Sequence, residues 1–161
     1  IVVVGDHETG GMGLGFAKNY FLSLGELDDV KLSVEDMLSY GPFAYKTGDD
    51  KNEYFTMLEN NMGLDNLTAA EKAEIESAME LVDAGTESDA DYGGYNQVAI
   101  AVTHVVSERA GVQWTTYAHS GTAIPMSTIG VGASSFGGYK DNTEIAETMA
   151  EVMNFTLGAI N

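Results

Sequence analysis

The chain has 161 residues, 44% of them hydrophobic, no cysteine, and a formal net charge of −18 from 25 acids against 7 Lys and Arg. That length and apolar content suit one domain with a real core, and the missing cysteine rules out a disulfide framework and any thiolate metal site, so a metal would have to be held by His, Asp or Glu. The acidic balance repels nucleic acid and anionic membrane surfaces, and no apolar run approaches the length of a membrane span.

The first element, Ile1-Val2-Val3-Val4-Gly5, is a β-branched run that reads as a fully buried strand. A chain that opens in the middle of a core strand, with no initiator Met, is expected to be part of a longer one, with any signal peptide upstream. The strand runs into Asp6-His7, where a carboxylate and an imidazole, both zinc-ligand groups, stand side by side. Gly10, Gly11, Gly13 and Gly15 follow in a close-approach loop. It is neither a dinucleotide fingerprint, since Lys18 stands where the third glycine belongs, nor a P-loop.

From Asn19 to Tyr92 acids crowd in and short helical patterns alternate with loops. Helices are predicted over Ser33–Tyr40, stopped by Gly41-Pro42, and over Asn52–Met62, ending near Gly63. Thr68 and Glu71 form a capping box ahead of a helix whose apolar face is Ile75, Ala78, Met79 and Val82 and whose stop is Gly85. Met57, Met62 and Met79 read as core filler under this segment. Glu87, Asp89 and Asp91 read as a solvated acidic loop, because Tyr92 and Val98 break the calcium-loop pattern.

Residues 94–110 predict a helix with Val98, Val102 and Val105 buried and Gly111 as its C-terminal stop. His104 on this helix is read as a packed or surface histidine and not as a ligand. Val112–Ala118 reads as a strand ending at His119, and Ala123–Gly130 as another. After a glycine-studded loop, Asp141 and Glu144 cap a last helix with the face Ile145, Met149, Val152 and Met153. Strand, helix, strand, strand, helix makes an α/β sandwich, and the long helix leading into 112–118 suits a mostly parallel sheet.

If the strands before Asp6-His7 and His119 are parallel neighbours, their carboxyl ends share one rim, where α/β sheets bind ligands. Successive strand residues face opposite ways, so Asp6 and His7 serve one metal only if the chain leaves extended geometry at Gly5-Asp6. Three ligands suffice for one open catalytic zinc or for parts of two sites; two such metals clamp a phosphoryl group. These residues by themselves lead to metal-assisted hydrolysis, with phosphate as one substrate, and single out no serine nucleophile among Ser120, Ser127, Ser134 and Ser135.

Four motifs in order carry a family likeness. Asp6-His7-Glu8-Thr9-Gly10-Gly11-Met12 resembles a metal-binding motif of alkaline phosphatases, and Trp114-Thr115-Thr116-Tyr117-Ala118-His119-Ser120-Gly121 resembles their strand into the last ligand histidine. Ile129-Gly130-Val131-Gly132-Ala133, then Phe136-Gly137-Gly138 with Asp141-Asn142-Thr143, resemble their closing loop and final helix start. The resemblance implies part of a three-layer α/β/α sandwich, with 1–16 and 93–161 as the C-terminal part of the core and 17–92 as a mainly helical, crown-like acidic insertion. It implies zinc held by Asp6 and His7 at one site and by His119 at a second, and hydrolysis of phosphate monoesters through a phosphoserine. It also implies a homodimeric parent in the periplasm, cell envelope or medium.

The family's nucleophilic serine, magnesium ligands, phosphate-gripping arginine and remaining zinc ligands precede these motifs in chain order and have no match here. No catalytic residue is therefore assigned within the chain, and the segment by itself is expected to be inactive and to bind zinc weakly. Two alternatives stand beside this reading. One is a sulfatase or phosphodiesterase of the same superfamily; the other is a non-catalytic interaction module built on the acidic stretch 17–92.

Overall fold

The computed structural model describes residues 1–15, 20–87 and 94–158. The predicted acidic-loop residues Asp89 and Asp91, and Lys18, lie outside them. By its contacts the chain divides into two compact units, Met12–Tyr117 and Ile1–Gly11 with Ala118–Asn161.

The unit Met12–Tyr117 is built on three helices whose ends are written in local chemistry. The Asp50 carboxylate accepts from the Asn52 and Glu53 N–H groups at 2.8 and 3.1 Å and starts α1 (Lys51–Met62), which Gly63 ends at φ 64°. The capping box forms as predicted: Thr68 Oγ1 accepts from Glu71 N–H, Glu71 accepts from Thr68 N–H at 2.7 Å, and α2 (Ala69–Ala84) runs to Gly85. The Asn96 side chain caps α3 (Gln97–Ala110), which begins three residues later than expected and stops at Gly111, φ 75°. Left-handed backbone at such stops is open to glycine at little steric cost, and it lets the last helical carbonyls find donors.

Leu58, Met62, Ile75, Met79, Val98, Val102 and Val105 are all buried in one core, with Met57 packed on its edge, so the predicted apolar stripes face one another. The helix predicted over Ser33–Tyr40 is one wide π-turn, Val34–Ser39, with the Ser33 hydroxyl capping Asp36 N–H at 3.2 Å. Grouped by contacts, α3 belongs with the acidic stretch. His104 finds two partners off its own helix: Tyr117 Oη at 2.9 Å and Glu74 of α2 at 3.5 Å.

Arg109 at the end of α3 grips Glu71 through two parallel bonds, Nε–Oε1 at 2.7 Å and Nη2–Oε2 at 3.0 Å. This guanidinium, with the Thr68 cap, pulls the Glu71 carboxyl down to about 2. A carboxyl depressed in the folded state stabilises it fully above the ordinary value of 4.5 and loses that contribution as pH falls toward 2. We expect R109M to cost about 2 kcal/mol at pH 7. The variant should also flatten the fall in stability between pH 4.5 and 2, as read by urea unfolding across that window.

Strand pairing departs from the sequence expectation. Both ladders among the described residues are two-stranded and antiparallel, not parts of a mostly parallel sheet. In the unit Met12–Tyr117, β2 (Gly13–Leu14) pairs with β3 (Val112–Gln113), and the predicted strand 112–118 is cut to those two residues. Gly15 N–H and Ser23 N–H bond the carbonyls of Gly111 and Ala110, both at 2.9 Å, so the chain before β3 is fastened to the glycine loop. Trp114 to Tyr117 lie beyond the two-residue strand.

In the other unit, β1 (Val2–Val4) pairs with β4 (Met126–Thr128), Val3 opposite Ser127. The expected full burial of the first strand does not hold: Ile1 is 86% and Val3 64% exposed. A two-stranded antiparallel ribbon covers at most one face, so β-branching here marks extended backbone rather than burial on both sides. The last helix, α4 (Asn142–Met153), starts with the predicted Asp141–Glu144 box and ends at left-handed Asn154. Its predicted face is corrected as well. Thr148 and Ala150 are the buried residues, whereas Met149, Val152 and Met153 are exposed, the last by 70%.

Candidate metal centre

The three sequence-predicted ligands come together inside the unit Ile1–Gly11 with Ala118–Asn161. β1 stops at Val4 and the chain bends at Asp6-His7. The expected break in extended geometry is there, but the left-handed glycines are Gly10 and Gly11, at φ 88° and 65°, rather than Gly5. The bend turns both side chains to one place. His7 Nε2 lies 3.4 Å from Asp6 Oδ2, and the His7 N–H bonds Asp6 Oδ1 at 3.1 Å. His119 does not follow a strand as predicted, yet its ring stacks on that of His7, with centroids 3.5 Å apart and planes 25° from parallel.

The donor set can be tested against zinc. His7 Nδ1 is 2.9 Å from the Glu8 carbonyl oxygen, which only accepts, so Nδ1 donates there and Nε2 is the nitrogen turned toward the Asp6 carboxylate and open to a metal. Nε2 and Asp6 Oδ2, 3.4 Å apart, are a nitrogen and an oxygen that one cation can bridge. With zinc bonds of about 2.0–2.2 Å to nitrogen and oxygen, neighbouring ligand atoms of a tetrahedral shell lie about 3.3 Å apart. The Asp6–His7 pair therefore fits as one edge of a zinc shell. A ring nitrogen bonded to a backbone carbonyl is the usual outer support of such a ligand. The pair is only part of a shell: among the described residues no three His, Asp or Glu side chains converge as a metal cage.

A cleft of about 590 Å³ opens beside the pair, its wall including Asp6, His7, Glu8, Ser120, Tyr139 and Lys140. Lys140 is the one Lys or Arg in the sequence of this unit, half-buried, with no ion pair to another described residue. Sequence reasoning passed over Glu8. Its carboxylate accepts from Gly11 N–H at 2.6 Å, from Ser120 N–H at 3.2 Å and from the Ser120 hydroxyl. An acid three residues before a glycine was a visible turn signal, but its partner Ser120 is 112 positions away.

No protein-family profile matches the chain. It is 27% identical over 157 residues to alkaline phosphatase 3 of Bacillus subtilis (strain 168), covering 98% of this chain and 30% of that protein. Among solved structures, it superposes on a cold-active alkaline phosphatase from the psychrophile Shewanella sp. with a TM-score of 0.69. That match is 23% identical and covers 94% of this chain and 33% of the other. The chain thus spans about a third of the length of each, in an alkaline phosphatase fold of mixed helices and strands. Sequence likeness along nearly the whole chain, joined to likeness of fold, supports these 161 residues as a segment of an alkaline phosphatase family protein.

Proposed function

We propose that this chain is the C-terminal part of a zinc- and magnesium-dependent hydrolase of phosphate monoesters, contributing to a three-layer α/β/α sandwich and supplying Asp6, His7 and His119 to its metal sites. The observation that carries this reading is the Asp6–His7 edge with His119 stacked against it. Zinc held there supplies positive charge to the oxygens of a phosphoryl group as charge develops in transfer. Asp6 contributes the hard oxygen and the negative charge. His7, oriented by the Glu8 carbonyl, contributes nitrogen in a fixed tautomer. His119 serves a neighbouring site, and Lys140 gives the cleft wall a cation for an oxyanion, in a chain otherwise strongly acidic.

The serine that forms the phosphoenzyme, the magnesium ligands and the other zinc ligands belong to the remaining two thirds of such a protein. In this proposal residues 17–92 are a crown-like insertion, and the whole protein works outside the cytoplasm. Hydrolysis of p-nitrophenyl phosphate at alkaline pH, with zinc and magnesium, tests the reading on this chain and on a longer protein that carries it. The expected result is turnover by the longer protein alone, abolished by EDTA. Turnover by the 161 residues unaided would place the nucleophile within them. Failure of both would turn the search to sulfate esters and phosphodiesters.

A further inference from the structure

We infer that Glu8 is the positioning residue of this centre: its carboxylate ties the Asp6-His7 loop to the His119 loop and so sets the two imidazoles against each other. The inference rests on the proposed metal reading for its purpose, and on geometry for its substance.

Glu8 is half-buried, and both its oxygens are engaged. Oε1 takes the Gly11 N–H at 2.6 Å, which curls the loop back through the left-handed Gly10 and Gly11. Oε2 takes the Ser120 N–H at 3.2 Å and the Ser120 hydroxyl. That hydroxyl in turn accepts from the Thr122 N–H at 3.3 Å, so the loop after His119 is held from both sides. His7 and His119 each sit one residue from this link. A carboxylate that gathers three N–H and O–H donors from two loops is the usual outer support of neighbouring ligands, so Glu8 is assigned to hold them in place. Charge-assisted bonds of this kind are the stronger class, which suits the closing of a 112-residue separation.

The test uses the whole 161-residue chain. It has three histidines, so their carbon-bound ring protons can be assigned by NMR, and the stacked His7 and His119 rings should shift each other's signals upfield. E8A should abolish that shift. S120A, which keeps the backbone donor, should reduce it, and the double variant should look like E8A because both changes cut the same link. Cobalt(II), as the probe in place of zinc and followed by its visible bands, should bind about tenfold more weakly to E8A. If E8A does not fold, S120A carries the comparison. Wild-type ring shifts in both single variants would overturn the inference. A wild-type chain that takes up no cobalt would sink the metal reading of the previous section, while the ring shifts still decide the role of Glu8.

Discussion

Replacing His7 with Ala should lower the zinc affinity of the chain by more than about a hundredfold, and should cut phosphate monoester turnover by a longer protein that carries it by roughly a thousandfold. The expectation follows from the arrangement of one side chain. His7 Nδ1 donates to the Glu8 carbonyl, so Nε2 is the nitrogen presented beside the Asp6 carboxylate, 3.4 Å away. Removing the ring leaves Asp6, 87% exposed, as a single carboxylate with no nitrogen partner beside it. His104→Ala is the control. That ring lies in the unit Met12–Tyr117 and bonds Tyr117 and Glu74, so its loss should cost about 1 kcal/mol of stability and leave zinc affinity unchanged. Competition with a chromophoric chelator measures both affinities. Equal affinity in wild type and H7A would remove His7 from the ligand set.

Ile75→Ala should destabilise the unit Met12–Tyr117 by about 3 kcal/mol, through lost burial and the cavity left behind. Ile75 is fully buried on α2, in the core shared with Leu58, Met79, Val98 and Val102. Val3→Ala should cost less than about 0.5 kcal/mol, since that side chain is mostly in water already. Urea unfolding of the two variants separates the cases. A cost at Val3 to match that at Ile75 would mean that the first strand is covered in solution by something beyond its β4 partner.

Those two positions show what was legible in the amino-acid order. Thr68 with Glu71 and Asp141 with Glu144 each set up a reciprocal cap between residues three apart. Gly63, Gly85 and Gly111 each stop a helix by taking a left-handed backbone. The stripe Ile75, Ala78, Met79, Val82 is buried because three- and four-residue spacing puts those side chains on one face of any helix. Such features are decided within one or two turns of chain, and the sequence alone determines them.

The strands were another matter. Ile1–Val4 and Val112–Ala118 carry the same β-forming signal, yet one pairs with Met126–Thr128 and leaves Val3 in water, and the other keeps two residues in a ladder. A strand's partner, direction and covered face are set by segments far along the chain, and local composition carries none of that. The metal centre divides the same way. Asp6-His7 was readable as a ligand pair from adjacency and chemistry. The stacking of His119 on His7, and the Glu8–Ser120 link that sets it, were decided by tertiary structure alone, because they join loops 112 residues apart.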